Sequence, residues 1–221
     1  MATVVIVGGH GRIALELARR LSGRGDRVRS VVRNPEHADD VRAAGAEVVV
    51  HDLETGAAAD LAAVLAGADA VVFSAGAGAG SGVLRKRTVD LGGALATIDA
   101  AKQAGVARLV QVSFLGAALP TAPGTDPVFA AYWDAKRQAD DALRGSGLDW
   151  TIVKPGRLLD GPGSGSGEVS TADGARGAAT RRADIAALVV LALDDPRAVG
   201  HELVVTEGDV PLAAALDAAL A

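Results

Sequence analysis

The sequence contains no cysteine, which excludes disulfides, thiol nucleophiles, zinc-thiolate sites and iron-sulfur clusters together. Aromatic residues make up only 3%, with a single tyrosine, so helices must pack on their neighbours chiefly through Ala, Gly and aliphatic side chains. No excess of positive charge is present either: 22 Lys plus Arg stand against 27 Asp plus Glu, a net charge of -5. That balance offers no footprint for nucleic acid or an anionic membrane, and neither is expected as a partner. His10, His37, His51 and His201 include no pair at metal-ligand spacing, and no metal is expected. The longest uninterrupted apolar run, Ile185 to Leu193, falls far short of the roughly 20 residues a membrane span needs. With no basic stretch ahead of a long apolar region, a secretory signal is not expected, and the cytoplasm is the expected compartment.

What is present is enough apolar material for a sizeable core. At 221 residues, 49% apolar and 22% charged, the chain reads as one globular domain spanning 1–221. Its apolar runs are short, rich in Val and Ile and without polar alternation, as in strands buried on both faces of a parallel sheet. Strands are predicted near Thr3–Val7, Arg27–Val32, Glu47–Val50, Ala70–Phe73, Arg108–Ser113, Trp150–Val153 and Glu202–Thr206. Helices are predicted over Gly11–Ser22, Pro35–Ala44, Ala59–Ala66, Leu84–Gln103, Val128–Arg144, Arg181–Leu193 and Pro211–Leu220. Gly23, Gly45, Gly67, Gly105 and Gly145 stand where a left-handed residue would close a helix. The alternation predicts an α/β fold, a doubly wound parallel sheet with helices on both faces, with 155–221 contributing a small cap on the substrate side. Its ligand crevice would lie beyond the carboxyl ends of the strands. The Gly161–Gly167 stretch reads either as a mobile lid or as a harmless insertion, and Ala75–Gly82 is similar.

The first strand runs into Gly8-Gly9-His10-Gly11-Arg12-Ile13-Ala14 and then an amphipathic helix. Gly8 permits a tight exit, Gly11 lets the backbone approach a pyrophosphate at the helix N-terminus, and Ala14 allows close helix-strand packing. No Gly-Lys-Ser/Thr follows, so this is not a P-loop. After the second strand, Arg33 occupies the place of the carboxylate that would hold an NAD ribose. A guanidinium there would grip a 2′-phosphate, so NADPH is favoured over NADH; the alternative is a solvated loop arginine. Asp52 and Leu53, after the third strand, could contact adenine, while His51 reads as structural. Ser74, Ala75 and Gly76, after the fourth, leave room for cofactor backbone contacts.

Tyr132 is followed four residues later by Lys136, one of only four lysines, on a predicted helix. The spacing places both on one face, where a cationic Lys136 would favour the phenolate and make Tyr132 a usable proton donor or acceptor. Ser113, at the end of the fifth strand, could hydrogen-bond the same substrate oxygen.

On the glycine turn, on Tyr132 with Lys136, and on Lys154-Pro155-Gly156-Arg157, the chain resembles the short-chain dehydrogenase/reductase superfamily. It is most similar to the small atypical NAD(P)H-binding or epimerase-like members near the NmrA-like branch. Gly147 to Val153 and Arg182 to Ala186 extend the likeness over essentially the whole chain. The resemblance implies that Tyr132 is the acid/base, that Lys136 also holds the nicotinamide ribose, that Ser113 orients the substrate carbonyl, and that Pro155, Gly156 and Arg157 contact the cofactor. Phe114 stands where relatives commonly carry a second serine, and the short C-terminal region would enclose a nucleotide-sugar poorly. The reading is an NADP-dependent oxidoreductase acting on a small carbonyl, quinone or polyketide-like substrate, as a monomer or homodimer. A non-catalytic NADP(H) redox sensor and an atypical oxygenase or isomerase are the alternatives.

Overall fold

Successive residues of β1 (Thr3–Val7) are buried on opposite faces: Val4 and Ile6 in one core, Val5 and Val7 in the other. Double burial is why this strand carries no polar alternation. The computed structural model describes residues 1–78, 80–172 and 178–221. β2 (Arg27–Val32), β4 (Ala70–Phe73), β5 (Arg108–Val112) and β6 (Asp149–Pro155) are likewise largely buried, β3 (Glu47–Val50) is the partly exposed edge strand, and all five join in parallel pairings.

Between them run α1 (Arg12–Gly23), α2 (Ala38–Ala43), α3 (Ala58–Leu65), α4 (Val83–Arg85), α5 (Gly93–Ala104) and α6 (Pro127–Arg144). The C-terminal part adds β7 (Arg157–Leu159), β8 (Ser166–Ser170), β9 (Ala179–Arg181), α7 (Arg182–Asp194), β10 (His201–Pro211) and α8 (Leu212–Ala219). Ile13, Leu17 and Leu21 of α1 share one core with Val41 of α2, Ile185 and Leu188 of α7 and Leu212 of α8. Leu61 of α3, Ile98 of α5 and Leu143 of α6 fill the other.

The eight-stranded sheet has the order β3-β2-β1-β4-β5-β6-β10-β8, with only β8 antiparallel to its neighbour. The expected doubly wound α/β architecture is therefore present. Its strand order reverses between β1 and β4, which opens a crevice past Val7 and Phe73. Of 155–221, the part expected as a cap, β10, β8, α7 and α8 complete the sheet and its covering layer; β7 and β9 form a separate two-stranded pair.

Three details differ from expectation. Gly45, Gly67 and Gly105 are left-handed at φ +82°, +70° and +70°, but Gly23 and Gly145 are not. Gly23 is still helical and the chain reverses at Gly25, φ +94°; Gly145 has φ -80°, and Gly147 at φ +78° makes the reversal beyond Ser146. The predicted helix Leu84–Gln103 is interrupted by a π-helical turn, Lys86–Gly92, of the kind often found at functional sites. The Gly161–Gly167 stretch is tethered: Asp184 at the start of α7 accepts from Ser164 N (3.0 Å) and Gly165 N (2.8 Å), and Ser166 opens β8. Residue 79 of the Ala75–Gly82 stretch lies outside the described residues.

Candidate active site

The turn after β1 is built on Gly8, whose φ of +87° suits glycine and where a Cβ would stand 2.5 Å from the Ala75 backbone. The two strand ends at the topological switch thus touch through a glycine. Gly9 lies against Ser30 behind the turn, and Gly9 N donates to Val31 O at 2.8 Å. Gly11 is the N-cap of α1 and offers no side chain, so the first turn of the helix receives no side-chain cap. A helix start left open beside a strand-end crevice suits an anionic pyrophosphate.

A groove crosses this point in two halves that share Ser74, Ala75 and Gly76. The smaller, about 300 Å³, is lined by Gly8, His10, Gly11, Arg33, Asp52 and Leu53 among others. The larger, about 830 Å³, reaches Ile13, Ser113, Tyr132, Lys136, Pro155, Gly156 and Arg157. Most residues expected from the sequence are therefore brought onto one groove, with Gly9 behind it. Arg12 also lies apart from the lining and pairs with Asp160, which in turn pairs with Arg182 at 2.6 Å. The two halves, joined at Ser74 to Gly76, give the groove an elongated form, with Arg33 at the end of the smaller.

At that end the structure adds a group the sequence did not show. The carboxylate missing after β2 is supplied from the β3 side by Glu54, 3.3 Å from the Arg33 guanidinium and 2.9 Å from Arg85. The Thr88 hydroxyl donates to Glu54 as well, and this bond, with Arg85 and Arg33, outweighs burial to hold the carboxyl below its ordinary range. His10 stacks on His37 at 3.6 Å and faces Asp40 at 2.9 Å.

The other end is aromatic and ionic. Tyr132 sits between Phe114 (5.2 Å) and Phe129 (6.0 Å), with Trp133 edge-on to both phenylalanines. Phe114, in place of a second serine, thus builds an apolar wall. Lys136 is buried and donates from Nζ to Val112 O at 2.8 Å. The expectation that Lys136 would favour the phenolate is corrected by these surroundings. Burial raises the Tyr132 pKa, and the carboxylates of Asp90 and Asp140 raise it further, so the phenol holds its proton. Burial lowers the Lys136 pKa, against the pull of the same two carboxylates.

Lys86 and Asp90 come from the π-helical turn: Lys86 Nζ lies 5.4 Å from the Tyr132 ring centre, and Asp90 accepts from Ala77 N at 3.1 Å. Asp140 accepts from the Ser113 hydroxyl at 2.8 Å and from Gln111 Nε2 at 2.7 Å. Both carboxylates were missed in the sequence, although each stands four residues after a lysine on a helical face. No cluster of potential metal ligands occurs among the described residues.

A family model described as NAD(P)H-binding matches residues 8–196. The chain belongs to the NAD(P)H-binding family. An uncharacterized sugar epimerase of Bacillus subtilis is 36% identical over 214 residues, covering 96% of this chain and 98% of that protein. A solved structure from Bacillus halodurans, whose name suggests an NAD-dependent epimerase/dehydratase, superposes with a TM-score of 0.90 at 33% identity, covering 99% of this chain and 100% of that one. An NAD(P)H azoreductase of Xenophilus azovorans is 31% identical, covering 90% of this chain and 65% of that protein. The resemblance to atypical short-chain dehydrogenase/reductase proteins is thereby borne out. Membership in the NAD(P)H-binding family agrees with the open helix start and the two-part groove.

Proposed function

We propose that this NAD(P)H-binding protein is a cytoplasmic, NADP-preferring oxidoreductase for a small or planar carbonyl or quinone. The observation that carries the reading is the convergence of Tyr132, Ser113 and Lys136 on the same cavity as the strand-end residues Ser74 to Gly76. The nicotinamide, when bound, supplies or accepts the hydride. Tyr132, whose phenol stays protonated, donates a proton to the substrate oxygen during reduction. Lys136 holds the ribose from the floor of the cavity, and Pro155 and Gly156 border the nicotinamide. Arg33 with Arg85 favours a 2′-phosphate at the far end of the groove, against the opposing charge of Glu54.

Phe114, Phe129 and Trp133 offer flat apolar surfaces to a conjugated ring, and little of the C-terminal segment remains to enclose a large sugar nucleotide. The relative named as an azoreductase is in line with a reductive role. Fluorescence titration with NADPH and NADH, followed by a carbonyl and quinone panel with the preferred nucleotide, tests the reading. Tight NADPH binding with turnover of at least one quinone or carbonyl is expected. Tight binding without turnover of any member would instead favour a redox sensor.

A further inference from the structure

Asp140 is a buried carboxyl that the reduction described above leaves without a task. It stands on α6 on the same face as Tyr132 and Lys136, and its side chain is 0% exposed. Its two oxygens have different partners: Oδ1 takes the Gln111 amide at 2.7 Å, and Oδ2 takes the Ser113 hydroxyl at 2.8 Å. Ser113 in turn lines the cavity beside Tyr132.

A serine hydroxyl has one proton, and an ionised carboxylate can only accept. While Asp140 is ionised, Ser113 must give its proton to Oδ2 and shows only lone pairs to the cavity. A carbonyl oxygen also only accepts, so Ser113 cannot bind it. If Oδ2 carries a proton, Asp140 donates to Ser113 Oγ, Oδ1 still accepts from Gln111, and the serine proton is released toward the cavity. A carbonyl can be held only in the second state, whereas an alcohol, whose hydroxyl both donates and accepts, can also be held in the first.

We propose that Asp140 is a positioning residue whose protonation decides whether Ser113 donates to a carbonyl substrate or accepts from an alcohol substrate. The assignment rests on the oxidoreductase reading, and it adds a directional control to it. Ser113 contributes a hydrogen bond and no net proton: the proton consumed in reduction comes from Tyr132, and the proton that an alcohol gives up on oxidation goes back to Tyr132 once its phenol has ionised.

The charged surroundings agree with a carboxyl that titrates. From β5, Gln111 and Ser113 face Asp140; from β6, Lys154 faces it while paired with Glu202 of β10 at 2.5 Å. Lys136 and Arg144 act on it from its own helix, as does the phenol of Tyr132, and Asp90 offsets Lys136 from the π-helical turn. Burial raises the carboxyl above the usual range despite the Ser113 bond, the two lysines and Gln111. Reduction should therefore decline as pH rises through this elevated range, and alcohol oxidation should rise.

Asp140→Asn tests the proposal because its amide can donate to Ser113 Oγ while its carbonyl accepts from Gln111, a fixed copy of the protonated state. The variant is expected to bind NADPH as wild type does, to lose the alkaline decline in kcat for reduction, and to oxidise the corresponding alcohol about tenfold more slowly. Infrared difference titration supplies a readout that needs no turnover. Wild type should show a protonated-carboxyl band persisting above the ordinary aspartate range of about 3.9, and the variant should lack it. Identical kcat-pH profiles for the two proteins overturn the proposal, as does the absence of that band from wild type. If wild type turns over no carbonyl or quinone, the oxidoreductase reading fails, and the band alone decides the Asp140–Ser113 coupling.

Discussion

Arg33 and Glu54 face each other at 3.3 Å across the smaller half of the groove, with Arg85 on the far side of the same carboxylate. The cation proposed to hold a 2′-phosphate is thus partly neutralised by an acid that the phosphate would also meet. Arg33→Ala should weaken NADPH roughly 10- to 150-fold, the range of a lost charge-assisted hydrogen bond, and leave NADH almost unchanged. Glu54→Gln should do the reverse and tighten NADPH several-fold, since both groups are partly exposed and screened. Parallel titrations with both nucleotides check this; equal losses for NADPH and NADH in Arg33→Ala would remove the arginine from phosphate recognition.

The two glycines of the turn should fail in different ways. Gly8→Ala puts a Cβ 2.5 Å from the Ala75 backbone at a φ of +87°, so the fold itself should suffer and the apo protein should melt lower. Gly11 has φ -59°, and a Cβ there would meet nothing closer than Gly8 O at 3.4 Å. Gly11→Val should therefore fold, while its branched side chain obstructs the approach of a pyrophosphate to the start of α1. Apo melting close to wild type with no thermal stabilisation by NADPH is the expected pattern. A normal NADPH shift in Gly11→Val would move the phosphate site elsewhere.

The contrast between these glycines shows where the sequence was legible. β1 and β4 matched their predicted bounds because each is a short apolar run buried on both faces, a local pattern that tertiary contacts reinforce; β2 and β3 matched as well, although β2 begins Arg-Val-Arg and β3, at the sheet edge, is only partly buried. β7, β8 and β9 were missed because their residues are Gly-, Ser- and Arg-rich, and pairing with distant strands decides their conformation. Glu54 was missed for a similar reason: its pairing with Arg33 joins the turns after two different strands, and no spacing records it. Asp140 was open to detection at four residues past Lys136. It stands beside Asp141 in an Ala- and Arg-rich stretch, and nothing else in the sequence marks it as buried.

The ion pair of a buried lysine makes a stability prediction. Lys154 is fully buried against Glu202, which Arg144 also contacts at 2.6 Å. Burial opposes the ionisation of Glu202, but hydrogen bonds from Lys154 and Arg144 outweigh it, and the carboxyl titrates below its ordinary value. Because the folded-state pKa is depressed, the stabilisation is present in full above the unfolded glutamate value of about 4.3 and is lost as pH falls through the folded one. Glu202→Gln takes one carboxylate away from the buried ammonium, and weakening a buried pair in this way should cost up to about 3 kcal/mol. In a chain of this size that upper figure is a Tm lower by roughly 6 to 12 °C at neutral pH. The gap to wild type should narrow on acidification through that depressed range; a gap that stays constant would show that the charge of Glu202 contributes nothing.

Tyr132→Phe removes a single hydroxyl from an aromatic cluster that otherwise keeps its packing against Phe114 and Phe129. NADPH affinity should be nearly intact, whereas a carbonyl or quinone loses its proton donor, a role typically worth about 10²- to 10⁴-fold in rate. Lys136→Ala should lower both, because its ammonium is assigned to the ribose and also lies under the carboxylates that raise the phenol. It also leaves Val112 O without the hydrogen bond now made at 2.8 Å, so the variant's melting temperature must be measured beside its activity. Nucleotide titration with NADPH consumption on the best substrate separates the two variants: binding retained and turnover lost in the first, both reduced in the second. If Tyr132→Phe consumed NADPH as fast as wild type, the proton would come from another group. Ser113, held by Asp140, would then be the first remaining hydroxyl on the same cavity to test.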